Sequence, residues 1–408
     1  MDTLKKEPLW TKNFIIVSLI NFLVILIFYQ LMVTIAEYAV DEYHTATSTA
    51  GLVSSIFIIG SLIGRLITGR GIVSLGSKKT FKIGLVLFTL TTLAYFIANN
   101  LAVLIGLRLL HGISSGVIST ATGTVIAQII PASRRGEGIG YFSMSAVLAT
   151  AIGPFIGILL LQSFEQFSAI FVFNTILVVI CIATSFFLNM DSVNNNISPG
   201  QAPDETKGFS VANYIEPKAV PISFIALMAG FAYSGIMSFL SFYMAEIDLV
   251  EAGSLFFLVY SISILLTRPI TGPLMDRKGA NIVVYPALIL FAAGMVLFSE
   301  ASTGVMLLVS ACIIGIGYGN FNSIAQALAI KGVEPRRMGL ATSTYYILYD
   351  IGLGAGPFLL GALVPLMGYR SLFFSMVPVI IISLVLYWAL VGRKERKEAL
   401  QAGKLMQG

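Results

Sequence analysis

The chain has 408 residues, of which 57% are hydrophobic and 11% are charged, with a net charge of +5 and a mean hydropathy of +0.89. Soluble domains carry about 25% charged residues, so this composition excludes a soluble protein and indicates one embedded in a membrane. Each span needs about 20 apolar residues, and the chain is therefore long enough for about a dozen.

Twelve apolar runs, bounded by charged or turn residues, predict twelve transmembrane helices. Spans 1 to 6 lie at 14–36, 50–69, 81–98, 101–130, 138–161 and 168–189. Spans 7 to 12 lie at 219–244, 252–272, 281–300, 304–330, 338–364 and 370–391. The stretch between the two sets is polar and rich in Asn, Ser, Gly and Pro, which predicts a flexible linker.

The sequence thus predicts an all-α membrane protein made of two six-helix bundles. Its expected parts are an N-terminal bundle (1–189), a linker (190–218), a second bundle (219–391) and a basic tail (392–408). Lys and Arg are concentrated at the termini, in the linker and in the loops on that same side, whereas the opposite loops hold one cation, Arg370. Cytoplasmic loops carry such an excess, so both termini are expected in the cytoplasm and the chain in the plasma membrane.

The two halves of the chain repeat each other. A shift of 203 residues brings identical residues together: Arg65, Gly69, Gly76, Gly112, Gly153 and Pro154 fall on Arg268, Gly272, Gly279, Gly315, Gly356 and Pro357. One offset that holds in several separate places indicates duplication, so the bundles are expected to be pseudo-symmetric. Parallel repeats of six helices have their binding site at the repeat interface near the bilayer midplane.

The repeated segments resemble motifs of the major facilitator superfamily. The segment after span 8 resembles that family's Gly-x-x-x-Asp-Arg-x-Gly-Arg-Lys signature, which forms a gate. The predicted gate residues are Arg65, Gly69, Gly76, Lys78, Arg268, Gly272, Asp276, Arg277 and Gly279. In the first copy, Val73 and Ser74 occupy the Asp and Arg positions, so the charged form of the gate is expected in the second half.

Two further motifs resemble the same family. The segment RLLHGISSG (108–116) is similar to its helix-4 motif, in which the position of Arg108 is associated with proton transfer. The segment AVLATAIGPFIG (146–157) is similar to the helix-5 antiporter motif. The predicted helix-kink residues are Gly153, Pro154, Gly157, Gly356 and Pro357. The resemblance implies the major facilitator fold, and the antiporter motif favours the drug/proton antiporter branch.

Asp350 and Arg108 are the candidates for proton coupling, because ionised side chains at bilayer depth are costly and tend to be functional. The repeat partner of Asp350 is Val147, so duplication does not account for the acid. One interpretation is a carboxyl that loads and releases a proton; the other is a buried pair with Arg65 that locks one conformation. Arg108 also has two interpretations. It either takes part in coupling or substrate contact, or it belongs to a structural ion pair.

Polar and aromatic residues within the spans predict a substrate cavity. They are Asn21, Tyr29, Gln30, His111, Tyr233, Asn320, Asn322 and Tyr346. Aromatic faces mixed with a few amides suit bulky and partly apolar molecules, including cations. No phosphate-binding Gly-x-x-x-x-Gly-Lys-Ser/Thr segment occurs, so the expected energy source is an ion gradient.

These features predict a secondary active transporter and not an enzyme. The leading hypothesis is proton-coupled export of small amphipathic compounds, as in multidrug efflux, by alternating access and without a cofactor or metal. The expected partners are a small-molecule substrate, protons and the lipid bilayer, with no nucleic acid, and the chain is expected to be a monomer. The alternatives are a transporter for one metabolite (a sugar, a siderophore-like acid or a peptide) and a non-transporting sensor or scaffold.

Overall fold

The computed structural model describes residues 8–45, 47–164, 167–189 and 214–397. Most of the predicted linker (190–213) and most of the basic tail (398–408) lie outside the described residues. Within these ranges every regular element is a helix and no β-strand occurs. The prediction of an all-α protein is confirmed.

The helices follow the predicted spans in order. The first half contains α1 (Lys12–Tyr43), α2 (Thr47–Leu75), α3 (Ser77–Leu93), α4 (Leu101–Ile129), α5 (Arg135–Phe164) and α6 (Ser168–Ser185). The second half contains α7 (Val220–Glu246), α8 (Val250–Ser254), α9 (Phe256–Lys278), α10 (Asn281–Ser299), α11 (Gly304–Ile314), α12 (Asn320–Ile330) and α13 (Met338–Tyr387). A π-helical turn, Gly315–Gly319, joins α11 and α12 into one rod, and another, Trp388–Gly392, follows α13.

The last helix, α13, contains two predicted spans. Gly368 interrupts it with φ 72° and ψ 168°, a conformation that glycine adopts without a steric penalty. Eleven helical segments of the described chain are long and apolar enough to cross a membrane, and the last of them includes this bend. Dividing α13 at Gly368 gives twelve spans, as predicted.

The first helix is longer than its predicted span. The apolar run ends near residue 36, but α1 continues to Tyr43. In these added turns the Tyr38 ring packs against Phe167 at 5.1 Å and Phe171 at 5.3 Å, and the Tyr43 hydroxyl donates to the Ala98 carbonyl at 2.7 Å. The helix therefore continues past the apolar run because its aromatic side chains pack on the neighbouring helices.

The same backbone turn recurs in the two halves. Gly76 lies between α2 and α3 with φ 79°, and Gly279 lies between α9 and α10 with φ 85°. A side chain at either position would be strained, because this φ is unfavourable for residues with a Cβ atom. The duplication read from the sequence therefore has a counterpart in the backbone.

The chain forms two compact units. The first consists of Met1–Ala132, Ser145–Glu216 and Val333–Ser343, and the second of Ser133–Met144, Pro217–Gly332 and Thr344–Gly408. They differ from the predicted bundles in two segments: the start of α5 belongs to the second unit, and the start of α13 belongs to the first.

Aromatic and basic side chains lie at the N-terminal end of the first span and at the C-terminal end of the last span. Trp10, just before α1, is 59% exposed, and Trp388, just after α13, is 47% exposed. The guanidinium of Arg393 lies 3.7 Å from the centre of the Trp388 ring. Tryptophan is enriched where membrane meets water, which fits these positions.

Candidate functional site

Arg108 lies on α4 in the first unit, and its side chain is fully buried. Its Nε donates to the carbonyl of Val53 at 3.1 Å and its Nη2 to the carbonyl of Ser54 at 3.4 Å, both on α2. Its Nη1 donates to the Tyr95 hydroxyl at 3.4 Å, and the guanidinium lies 4.7 Å from the centre of the Phe57 ring. Each nitrogen of this guanidinium therefore has a protein partner, and none of these partners is a carboxylate.

His111 lies about one turn along α4 from Arg108 and is also fully buried. Its Nδ1 is 3.0 Å from the Tyr95 hydroxyl, and its Nε2 is 3.4 Å from the Thr92 hydroxyl. The imidazole packs against the Phe88 ring at 4.7 Å. The Tyr95 hydroxyl thus joins the cation and the imidazole in one buried hydrogen-bond network.

Asn21 connects three helices of the first unit. Its Nδ2 donates to the Ser145 hydroxyl at 2.9 Å on α5, and its Oδ1 accepts from the Thr122 hydroxyl at 3.2 Å on α4. Both amide atoms are engaged and the side chain is buried. The contacts give Asn21 a role in positioning α1.

Tyr29 and Gln30 lie where α1 crosses α5. A Cβ atom at Gly153 would be 2.9 Å from Cβ of Tyr29, and one at Gly157 would be 3.1 Å from Cγ of Gln30. Close approach of the two helices therefore requires these glycines, and Pro154 lies between them within α5. Gln30 is fully buried, and among the described residues neither atom of its amide has a hydrogen-bond partner.

Three tyrosine rings stack in the second unit. Tyr233 on α7 lies 5.4 Å from Tyr260 on α9 and 4.2 Å from Tyr318 in the π-helical turn, with an interplanar angle of 22° in each pair. The Tyr318 hydroxyl donates to the Tyr349 hydroxyl at 3.1 Å. All three stacked rings are buried.

Tyrosines of α13 continue this group. Tyr345 and Tyr349 stack at 5.9 Å and 8°, and the Tyr345 hydroxyl donates to both the carbonyl and the Oδ1 of Asn322. The Nδ2 of Asn322 donates to the Tyr349 hydroxyl at 3.3 Å. Tyr346 faces a different amide, because its hydroxyl accepts from Nε2 of Gln326 at 2.9 Å. We call Tyr233, Tyr260, Tyr318, Tyr345 and Tyr349 the tyrosine cluster.

Asn320 is buried between α9 and α12. Its Nδ2 donates to the Thr267 hydroxyl at 2.7 Å and to the Ile316 carbonyl at 2.9 Å. Its Oδ1 accepts from the Thr271 hydroxyl at 2.8 Å. The amide thus fastens the π-helical turn to α9, and its hydrogen-bonding atoms are engaged within the protein.

Asp350 and Arg65 belong to different units. Asp350 is half-buried on α13, next to Tyr349 in the chain. Arg65 lies on α2, where its Nε donates to the Ser61 hydroxyl at 3.3 Å and its carbonyl accepts from the Ser343 hydroxyl at 2.6 Å. The choice between a proton carrier and an Arg65 pair stays a prediction.

The second copy of the gate motif holds the start of α5. The two carboxylate oxygens of Asp276 accept from the backbone N–H groups of Gly136 at 2.7 Å and Glu137 at 2.8 Å. N–H groups in the first turn of a helix have no partner within the helix and favour a negative charge. A Cβ atom at Gly272 would be 2.7 Å from Cα of Glu137, so glycine is required for this approach. Arg277 is exposed at the end of α9.

The first copy of the gate motif makes a different contact. Val73 stands where the acid would be, and the start of α13 packs here against small and apolar side chains. A Cβ atom at Gly69 would be 2.8 Å from Cβ of Ser343, and one at Gly339 would contact the side chain of Ile72. The acid of the second copy, Asp276, therefore has an apolar residue at its counterpart position in the first. Lys78 is half-buried at the start of α3.

Gly356 brings α13 close to α7. A Cβ atom there would be 2.8 Å from Cβ of Ser234 and 3.3 Å from the Phe231 carbonyl. The side chain of Pro357 lies outside the described residues. This crossing matches that of α1 with α5, because Gly153 and Gly356 are 203 residues apart.

The sequence did not single out several residues of these networks. Gln326 lies within an apolar run, and its repeat counterpart is Gly123. Tyr95 and Tyr260 could have been found, because the shift of 203 pairs them with the aromatic residues Phe298 and Phe57. The repeat was therefore a usable signal for aromatic positions as well as for glycines.

Comparisons with known proteins identify relatives along the whole chain. The profile described as Major Facilitator Superfamily matches residues 17–352 and 222–406. The MFS-type transporter MJ1560 of Methanocaldococcus jannaschii is 26% identical over 83% of this chain and 88% of its own. Multidrug resistance protein MdtG of Yersinia enterocolitica is 25% identical over 90% of each chain. Multidrug resistance protein 2 of Bacillus subtilis is 22% identical over 97% of this chain and 98% of its own.

A solved structure has the same fold. The crystal structure of the human organic anion transporter MFSD10 (TETRAN) superposes with a TM-score of 0.74, covering 93% of this chain and all of that one. Sequence identity is 15%, so this similarity concerns the fold alone.

Proposed function

The chain belongs to the Major Facilitator Superfamily, and on this basis we propose that it is a proton-coupled exporter of small amphipathic compounds that works by alternating access. Members of this family are multi-pass membrane transporters of small molecules and not enzymes. The direction of transport, the coupling ion and the breadth of the substrate range go beyond membership of the family.

The observation that carries the proposal of export is the likeness to proteins named for multidrug resistance. In Multidrug resistance protein 2 the alignment runs nearly from end to end, so it includes both halves and the linker region. The close contact of α1 with α5 at Gly153 supports the same proposal, because this segment resembles the antiporter motif.

Proton coupling is supported by the position of Asp350. It is half-buried within α13, in an otherwise apolar stretch of the second unit, where an ionised carboxylate is disfavoured. A group of this kind can bind a proton in one conformation and release it in the other. We expect that exchange to drive export.

The Asp276 contact supports alternating access. It joins α9 to the first turn of α5 through two hydrogen bonds and no covalent link, so it can form and break during a cycle. We expect the contact in one end state and its loss in the other.

The proposed topology has both termini in the cytoplasm of a monomer in the plasma membrane. Lys397 lies at the exposed end of the described chain. A Lys397→Cys variant that lacks Cys181 and Cys312 should react with a membrane-impermeant maleimide only after the cells are opened. Labelling of intact cells would contradict this topology.

Transport in proteoliposomes tests the function directly. The purified protein is reconstituted, a pH gradient is imposed, and accumulation of dyes, quinolones and metabolites is measured. We expect amphipathic compounds to accumulate against their own gradient and the accumulation to vanish when an ionophore collapses the pH gradient. Accumulation of a single metabolite alone would favour a dedicated transporter, and no accumulation of any compound would contradict the proposal.

A further inference from the structure

Arg268 is a buried cation within a membrane-spanning helix. Its residue is 3% exposed and lies in α9, which runs from Phe256 to Lys278. It stands four residues before the end of the predicted span 8 (252–272), about 6 Å along the helix. Charged side chains within a span are rare and mark substrate or ion pathways.

The protein uses a small part of this guanidinium. Its Nη2 donates to the Gly319 carbonyl at 2.8 Å, whereas its Nε and Nη1 are buried and have no hydrogen-bond partner in the described chain. An arginine carries five N–H donors, so four of them are unused. Among the described residues the partner of this guanidinium is a backbone carbonyl and not a carboxylate.

The π-helical turn explains how the arginine is held. A wider turn changes the direction of its carbonyls, and here the Gly319 carbonyl meets Arg268. Such turns occur frequently at functional sites. The glycines of this turn let α9 come close, since a Cβ atom at Gly315 would be 2.6 Å from the Tyr260 carbonyl. The guanidinium is thus held from one side.

We propose that Arg268 binds the carboxylate of a small amphipathic substrate whose apolar body packs on the tyrosine cluster. A planar guanidinium with free donors matches a carboxylate, with which it forms two parallel hydrogen bonds. The inference rests on the proposed function, because it names the class of compound that the exporter carries.

The tyrosine cluster suits the apolar body of such a compound. The hydroxyls of Tyr318, Tyr345 and Tyr349 bond to one another or to Asn322, so they do not neutralise the arginine. The rings form a large apolar surface of low flexibility, and in this conformation Tyr233, Tyr260, Tyr318 and Tyr345 are buried. A cationic compound would meet the uncompensated charge of Arg268, and the site therefore selects against it.

Three probes with one ring system and different charges test the proposal. Naphthoate, naphthamide and naphthylmethylammonium are titrated against the purified full-length protein in detergent, and the unfolding temperature is followed, because a ligand that binds the folded state raises it. We expect naphthoate to bind at least about tenfold more tightly than the amide, as befits hydrogen bonds to a charged group. The ammonium compound should bind most weakly.

Variants assign the preference to Arg268. In Arg268→Gln, naphthoate should bind about ten- to a hundredfold more weakly and become equal to naphthamide. Arg396→Gln is the matched control, because it removes the same charge from an exposed residue in the last helical turns of the described chain. Arg268→Lys keeps the charge but loses the planar fork, so it should give an intermediate affinity, and it serves where the glutamine variant fails to fold.

The outcomes separate this inference from the proposed function. Equal binding of the three probes, no binding of naphthoate, or unchanged naphthoate affinity in Arg268→Gln would overturn the role of Arg268. If the protein then still accumulates the amide or the ammonium compound in response to a pH gradient, the proposed function stands. Tight binding of naphthoate without any pH-driven transport would instead contradict the function and leave the anion site in place.

Discussion

Arg108 in the first unit and Arg268 in the second are both buried arginines within membrane spans, yet the protein uses them differently. Each nitrogen of Arg108 has a partner, and an aromatic ring covers its guanidinium. Arg268 makes one hydrogen bond, and the described residues offer it no acid. A buried charge whose three nitrogens all have partners can stabilise the fold, whereas one with a single partner adds little to stability and is available to a ligand.

The position of Asp350 extends this contrast, because the second unit contains this acid as well as Arg268, the arginine with a single hydrogen-bond partner. Asp350→Asn keeps the size of the side chain and removes its titration. If the acid carries the coupling proton, accumulation driven by a pH gradient should be abolished, while exchange of substrate down its gradient continues. Both rates are measured in the same proteoliposomes.

The alternative for Asp350 predicts a different pattern. If it balances Arg65, its loss would leave a buried partner charge, at a cost of about 3–5 kcal/mol. Exchange would then fail together with accumulation, and removal of Arg65 as well would restore folding. Normal accumulation by Asp350→Asn would exclude the coupling role.

Stability provides the next test of the two arginines. Arg108→Met removes three hydrogen bonds from a charged donor, each worth about 1.5–3 kcal/mol against the cost of burying the charge, so we expect a net loss of about 2–4 kcal/mol. Arg268→Met removes a largely unpartnered buried charge and should leave stability unchanged or raise it. Unfolding of both variants is compared in one detergent, and equal losses would erase the distinction.

Substitutions in the two copies of the gate motif should differ in their effect on the transport rate, by less than the effects expected above. Asp276→Asn removes the charge and one of two acceptor oxygens at the start of α5. We expect it to lower the transport rate about five- to thirtyfold, as a change of 1–2 kcal/mol in the gate equilibrium would. Val73→Asn at the corresponding position should have little effect. Equal rates for the two variants at equal expression would show that the copies contribute alike.

The smallest expected effects concern single hydroxyls. Tyr95→Phe removes the hydroxyl shared by Arg108 and His111, and we expect a loss of about 1–2 kcal/mol because it leaves a buried donor without a partner. Tyr318→Phe removes one bond to Tyr349, for which about 0.5–1 kcal/mol is expected. Thermal unfolding of both variants measures the difference, and a larger loss for Tyr318→Phe would reverse the ranking of the two networks.

The helices were predictable because hydropathy and turn residues determine where a chain can cross a bilayer. Span 9, predicted at 281–300, is observed as Asn281–Ser299, and span 10 is observed from Gly304 to Ile330 as predicted. The extension of α1 to Tyr43 was not predictable in this way, because it depends on rings from other helices. Hydropathy predicts where the chain crosses the bilayer, but it does not predict where a helix ends.

The sites were predictable as residue types and not as contacts. The apolar context identified Arg108, the repeat identified Arg268, and the resemblance to the gate signature identified Asp276. How many hydrogen bonds each buried arginine makes depends on the directions of the neighbouring carbonyls. The π-helical turn directs the Gly319 carbonyl at Arg268, but in the sequence this turn looks like an ordinary helical run. The partner of Asp276 was likewise hidden, because it is the backbone of α5, and backbone groups leave no mark in a sequence.

The positions of Trp10 and Trp388 have a consequence for spectroscopy. They are the two tryptophans of the chain. Trp10 lies at the N-terminal end of the first span and is 59% exposed, and Trp388 lies at the C-terminal end of the last span and is 47% exposed. Intrinsic tryptophan emission from this protein therefore reports on the interfacial region. The tyrosine cluster contains no tryptophan, so a Tyr260→Trp substitution would introduce a tryptophan there whose quenching reports local occupancy.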